Sequence, residues 1–221
     1  MECGNLEANR KAMVEMLKSN GYIRSRKLEE AMLTIPRELF VSSDEACEAY
    51  DDRPLRIEYG QTISAPSVVA RMTELLDLRD GMKVLEVGTG SGYQAAVLAY
   101  MVGNAGHVWS IERIPELARR AEERLRLLGL SERVTIVVGD GSIGYRDAAP
   151  FDRIIVTAAA PKVPKPLIDQ LSDGGIMVIP VGSREEQVLI KVVKRGGEVH
   201  YEQDVEVLFV PLIGAEGFQE S

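Results

Sequence analysis

Three short stretches bring together groups that could hold a small polar ligand. Glu86-Val-Gly88-Thr-Gly90-Ser-Gly92 places a glycine at every second position, and glycines let a ligand come close to the backbone. Glu112 follows 24 residues after Gly88. A carboxylate at the end of a strand there can accept both hydroxyls of a ribose. Gly139-Asp140-Gly141 comes third, and its carboxylate can accept a hydrogen bond from an exocyclic amino group such as that of adenine. Taken singly, the loop could be a mere tight turn, and each acid a helix cap or a solvated residue. Gly90-Ser-Gly92-Tyr-Gln-Ala95 also fits the dinucleotide-binding G-x-G-x-x-A pattern. Groups for metal or acid–base chemistry are sparse by comparison. His107 and His200 stand alone and read as ordinary strand residues, the cysteines are only Cys3 and Cys47, and no metal is expected.

These groups need a frame that delivers strand ends in succession. From Lys83 the chain alternates short apolar runs with amphipathic stretches. Strands are expected at Val84–Val87, His107–Glu112, Val134–Val138, Arg153–Thr157 and Ile176–Val181. Helices are expected after Gly92 through Leu98, over Pro115–Leu128, and from Pro164 to Leu171, with Gly174-Gly175 as a stop. In Arg113–Arg126 the basic residues alternate with Glu116, Glu122 and Glu123. Glu116 to Arg120 and Glu122 to Arg126 are spaced as on a solvated helix face. Alternation of this kind implies right-handed βαβ units and a parallel sheet covered on both faces. Glu186–Lys194 and Val199–Leu212, separated by Arg195-Gly196-Gly197, read as an antiparallel hairpin at one edge.

Upstream, residues 5–19 and 26–34 read as helices, the second stopped before Pro36, and a third is expected from Pro66 to Leu76. The fold class is therefore α/β: a doubly wound, mostly parallel Rossmann-like sheet with an N-terminal helical appendage and a C-terminal hairpin. The division falls at residues 1–80 and 81–221. Of the 221 residues, 45% are hydrophobic, enough for the core of one such domain. No apolar run reaches the roughly 18 residues of a membrane span, and the N-terminus lacks a signal peptide's apolar stretch. The net charge is −8 with no basic stripe, which argues against a general nucleic-acid binder. A cytoplasmic monomer without membrane or nucleic-acid partners is expected.

The glycine loop resembles the E-x-G-x-G-x-G motif of class I S-adenosylmethionine-dependent methyltransferases. Four other stretches are similar to the protein-L-isoaspartate O-methyltransferase family: Pro36-Arg-Glu-Leu-Phe-Val41, Tyr59-Gly-Gln-Thr-Ile-Ser-Ala-Pro66, Val156-Thr-Ala-Ala-Ala-Pro161, and Pro164–Gly175 running into Val178-Ile-Pro-Val-Gly182. The similarity spans residues 10 to 212. The tail from Ile213 to Phe218 matches nothing that can be carried over. The resemblance implies S-adenosylmethionine as cofactor, held by Thr62, Ile63, Ser64, Glu86, Gly88, Gly90, Ser91, Gly92, Glu112, Arg113, Gly139, Asp140, Gly141 and Thr157. It implies isoaspartyl peptides and proteins as substrates, met by Ser64, Ala65, Ala158 and Ala159, with Ser64 in the catalytic role. From residue types alone, Thr62 and Ser64 equally suit caps for the helix that Pro66 begins.

The implied reaction is methyl transfer to the α-carboxylate of an L-isoaspartyl residue, whose ester then closes to a succinimide and partly reverts to aspartate. A carboxylate is already ionised at neutral pH, so in-line placement matters more than a base. A site of this kind needs donors; Arg53 and Arg56 lie near but read as surface charges. Two other readings stay open. A base amino-methyltransferase would share the loop, Glu112 and Asp140, yet the fourth strand runs into Thr157-Ala-Ala-Ala-Pro161 rather than a D/N-P-P-Y/F motif. A dehydrogenase or a non-catalytic nucleotide-binding module would bind a different nucleotide or turn nothing over.

Overall fold

A computed structural model describes residues 4–220; Cys3 lies outside them. The N-terminal part is helical. α1 (Leu6–Ser19) is capped by the Asn5 side chain and α2 (Arg26–Thr34) by Ser25 Oγ. A one-turn 3₁₀ helix at Arg37–Phe40 follows Pro36. Two residues each from β1 (Leu55–Arg56) and β2 (Thr62–Ile63) then form a miniature antiparallel ladder. α3 (Pro66–Leu75) starts on its proline.

The main sheet is built from β3 (Lys83–Val87), β4 (His107–Glu112), β5 (Val134–Val138), β6 (Phe151–Val156), β7 (Leu171–Gly182), β8 (Gln187–Arg195) and β9 (Glu198–Val207), in the order β5-β4-β3-β6-β7-β8-β9. The first five in that order are parallel and the last two antiparallel. The connections run through α4 (Tyr93–Val102) and α5 (Pro115–Leu127), and α6 (Lys165–Gln170) joins β6 to β7. Because β4 and β5 extend to one side of β3 and β6 and β7 to the other, the strand order reverses between β3 and β6, the place where ligands enter open α/β sheets.

Strand alternation splits the core into two layers. Val84, Val108 and Val178 face one layer with α1–α4, while Leu85, Val87, Ile154 and Met177 face the other with Leu167 of α6. The first layer takes in Leu17, Met32, Phe40 and Met72, so the N-terminal helices share one core with the sheet. β9 is the outer edge, and its exposed face carries Glu198, Glu202 and Glu206, charges that discourage edge-to-edge pairing.

Three details differ from the expected pattern. The last helix ends at Gln170, not at the glycines: Leu171 is buried and already pairs with Phe151, and Gly174-Gly175 form an irregularity inside β7, where the register shifts before Ile176. The hairpin's second strand stops at Val207. Residues 210–212 instead run beside the end of β6, where Ala159 N–H donates to Val210 O (2.8 Å) and Leu212 N–H donates to Ala159 O (2.7 Å). On α5 the ion pair is Arg119–Glu123, at 2.5 Å, while Arg120 and Arg124 reach across to Glu58. That face is thus partly an interface with the N-terminal segment.

Candidate active site

One cleft opens at the carboxyl ends of the parallel strands, with a cavity volume of about 90 Å3. Its floor is the loop after β3. Gly88 has φ +96°, a conformation that side chains rarely adopt, and a Cβ there would lie 2.5 Å from Thr157 Oγ1. Thr157 occupies that space from the end of β6, donating to Gly88 O (2.6 Å) and lying 3.0 Å from Val87 O. The reversal point of the sheet is thereby stitched shut beneath the cleft. Gly90 faces open space: a Cβ there would meet only Ile57 Cδ1, at 3.7 Å. Ser91, the next residue, also lines the cleft.

Glu112 is 6% exposed and fixed from two sides: Gly90 N–H donates to Oε2 at 2.9 Å and Ile114 N–H to Oε1 at 3.0 Å. A carboxylate offers about four acceptor positions, so capacity remains on the cleft side. Arg113 lines the cleft beside it and pairs with Glu220 at 3.2 Å. Glu86 does not line the cleft. It is fully buried below the loop, where Ser110 Oγ donates to Oε2 and contacts Thr89 Oγ1 at 2.6 Å, while Oε1 has no partner. Burial pushes its carboxyl up to about 8; the Ser110 hydrogen bond opposes this and the charge of Glu112 adds to it.

Among the third group, Gly141 lines the cleft, but Gly139 and Asp140 do not. Gly139 N–H donates to Glu112 O at 3.0 Å. Asp140 is occupied by protein donors. Oδ1 accepts from Ser142 N–H (2.9 Å) and Ser142 Oγ (2.7 Å), and Oδ2 accepts from Ala215 N–H in the tail (2.7 Å). These bonds hold its carboxyl below the usual range, although burial opposes them. Gly92 is the N-cap of α4 and packs on Ala121 of α5, so it serves helix packing rather than the cleft surface.

The opposite wall comes from the N-terminal segment. Tyr59 (φ 59°) and Gly60 (φ 69°) turn the chain between β1 and β2, and Ile57 N–H donates to Gln61 O at 2.9 Å. Thr62, Ile63 and Ser64 then face the cleft. Neither hydroxyl caps α3. Its N-cap is Ala65, without a side-chain bond, and Ser67 N–H donates instead to Asp52 Oδ1 at 2.8 Å. Ala158 lines the far side, and Ala159 lies just behind it, tied to the tail. Residues without a distinctive sequence signal complete the walls: Met72, Tyr93, Gln94 and Val210 to Ile213. Gln94 had one clue, a lone amide in an apolar helix; it donates to Thr73 Oγ1 at 3.0 Å. Among the described residues no cluster of His, Cys, Asp or Glu could hold a metal ion, and no helix is long and apolar enough to cross a membrane.

A glycine loop, a fixed acid at the next strand end and a hydroxyl-bearing wall, all at the reversal point of a β5-β4-β3-β6-β7 sheet, define the nucleoside-binding architecture of class I methyltransferases. Comparison narrows this. The family model for protein-L-isoaspartate(D-aspartate) O-methyltransferases matches residues 8–217. The chain is 55% identical over 219 residues to the protein-L-isoaspartate O-methyltransferase of Hyperthermus butylicus, covering 96% of this chain and 91% of the relative. It is 56% identical to that of Methanopyrus kandleri, over 96% and 94% of the two chains. A solved protein-L-isoaspartate O-methyltransferase superposes with a TM-score of 0.86 at 33% identity, over 94% of this chain and 67% of that one. A Plasmodium falciparum protein named for the same activity, solved with S-adenosyl-L-homocysteine, superposes with a TM-score of 0.81 at 27% identity, over 92% and 98%. The chain belongs to the protein-L-isoaspartate O-methyltransferase family.

Proposed function

We propose that this chain transfers a methyl group from S-adenosylmethionine to the α-carboxylate of L-isoaspartyl residues in damaged peptides and proteins, with Ser64 orienting that carboxylate. The observation that carries the assignment of Ser64 is that it faces the same cleft as Gly88, Gly90 and Glu112 and makes no helix cap. The cleft fits the cofactor. A side chain at Gly88 would collide with Thr157, so the backbone there is kept bare, and Glu112 is fixed with acceptor capacity to spare.

In this reading Gly88, Gly90, Ser91 and Thr157 hold the amino-acid part. Glu112, beside Arg113, accepts from the ribose, and Gly141 borders the adenine, with Gly139 and Asp140 fixing the turn behind it. Thr62, Ile63 and Ser64 close the near wall. Glu86 and Gly92 support the loop from below. Bound S-adenosylmethionine supplies a methyl group activated by its sulfonium. The protein's part is placement: Ser64 donates to one carboxylate oxygen, and Ala158 presents a small side chain that lets an extended peptide approach, while Ala65 and Ala159 lie behind the cleft surface rather than on it. Positioning of this sort is worth roughly 7–11 kcal/mol in favourable cases, and no proton has to be removed from an ionised carboxylate. The ester so formed is the activated species from which the neighbouring backbone nitrogen closes a succinimide in solution. A cytoplasmic monomer acting without membrane or nucleic acid belongs to the same proposal.

The test is methyl transfer from labelled S-adenosylmethionine to two peptides differing only in one aspartyl linkage. Base-labile label is expected on the isoaspartyl peptide alone. Label on both, or on the normal peptide only, would sink the proposed specificity.

A further inference from the structure

Most of the arginines around the cleft are neutralised. Arg53 pairs with Glu48 and Asp51, Arg113 with Glu220, and Arg120 and Arg124 with Glu58. Arg56 is exposed. Arg37 is 0% exposed and, among the described residues, forms no ion pair. Its Nε donates to Ala49 O at 2.7 Å and its Nη2 to Ser64 O at 2.8 Å, its guanidinium lies 5.1 Å from the centre of the Tyr93 ring, and its Nη1 is buried without a partner. Two neutral carbonyls and an aromatic face compensate a buried cation only in part. Burial pushes the guanidinium down to about 10, opposed by the fields of Tyr93, Asp52 and Tyr50; it stays charged at neutral pH. A structural staple between residues 49 and 64 would not need that charge.

The peptide between Ser64 and Ala65 is trans and planar, so with its carbonyl on Arg37 its N–H points the opposite way. Among the described residues that N–H has no acceptor. A cation on the carbonyl polarises the whole peptide and strengthens the donor at its other end. We propose that Arg37 is a positioning residue for the substrate carboxylate, acting through the Ser64–Ala65 peptide. The inference rests on the placement of the substrate carboxylate at Ser64 proposed above.

The experiment compares an L-isoaspartyl peptide with the same peptide carrying an α-carboxamide in place of the α-carboxylate. The wild-type protein, Arg37→Gln and Arg37→Lys are each titrated by direct binding with S-adenosylhomocysteine present, alongside kinetics and thermal unfolding. The wild type should prefer the carboxylate at least tenfold. In Arg37→Gln that preference should fall to within about twofold of none, with S-adenosylhomocysteine affinity nearly unchanged, and Arg37→Lys should restore part of it. An unchanged preference in Arg37→Gln, whatever happens to turnover or melting temperature, reduces Arg37 to a staple and overturns the inference. If Arg37→Gln does not fold, Arg37→Met decides on the same two peptides: a lost preference supports the role and an unaltered one refutes it. A wild type with no preference for the carboxylate overturns the placement at Ser64 itself.

Discussion

The two ends of the cleft are built by different means. The floor, from Gly88 to Glu112, is made of backbone amides, bare glycines and one acid held between Gly90 N–H and Ile114 N–H. Its parts lie within one βαβ unit. The walls draw on distant segments: Arg37 on Ser64, Asp140 on Ala215, and Ala159 on residues 210–212. The floor is thus set by local chain geometry, whereas the walls depend on closure of the whole molecule. Damage to the floor should abolish binding, and damage to the walls should tune placement.

The largest effect is therefore expected at Gly88. Gly88→Val puts a branched side chain at φ +96° and against Thr157 Oγ1. Affinity for S-adenosylmethionine, measured by calorimetry, should fall at least 100-fold. A fall below tenfold would mean that the loop can shift and that the floor is not rigid. Next comes Ser64→Ala. Loss of one positioned donor costs about 100-fold in turnover at comparable sites, so kcat should drop by between 10- and 100-fold while cofactor affinity stays within twofold. Equal loss of both would place Ser64 with the floor and erase the contrast.

This division also explains what could be read from the sequence. The strands of the sheet and the glycine loop follow local periodicity and turn chemistry, and they lie where expected to within a few residues. Glu112 followed from its place at a strand end. Gly174-Gly175 misled because glycine marks both a helix stop and a strand irregularity, and only the pairing of Leu171 with Phe151 distinguishes the two. Arg37 was visible only as part of a motif. Its burial, and its bond to a carbonyl 27 positions away, come from tertiary packing. The tail offered no signal, because its role lies in main-chain amides that any residues carry. For Asp140 the carboxylate was legible, but not the donor 75 positions on that shares it.

Asp140 offers an intermediate test, since it stands on both sides of the comparison. Asp140→Ala should weaken S-adenosylmethionine binding about tenfold. Gly214→Ala changes only the tail, yet its Cβ would come within 2.1 Å of Asp140 Oδ1 and push the two apart. Severalfold weaker binding is expected. If the two variants lose affinity equally, Asp140 works through the tail; if Gly214→Ala is silent, Asp140 belongs with the floor.

The smallest effect, and the one that bears on the floor alone, is the pH dependence of stability set by Glu86. Its carboxyl is ordinarily half-ionised near 4.5 and is raised to about 8 in the folded protein, chiefly by burial. Between those values the folded state keeps a proton that the unfolded chain has released. Stability therefore declines as pH rises through that window, and above about 8 the penalty is fully present. Glu86→Gln keeps the shape and the acceptor for Ser110 Oγ but cannot ionise. Its melting temperature relative to the wild type should rise between pH 5 and pH 9, by about 5 °C or more given that 1 kcal/mol moves a chain of this size by roughly 2–4 °C. A difference that stays flat with pH would show that Glu86 ionises normally, and so that the loop rests on a solvated carboxylate rather than a dry one.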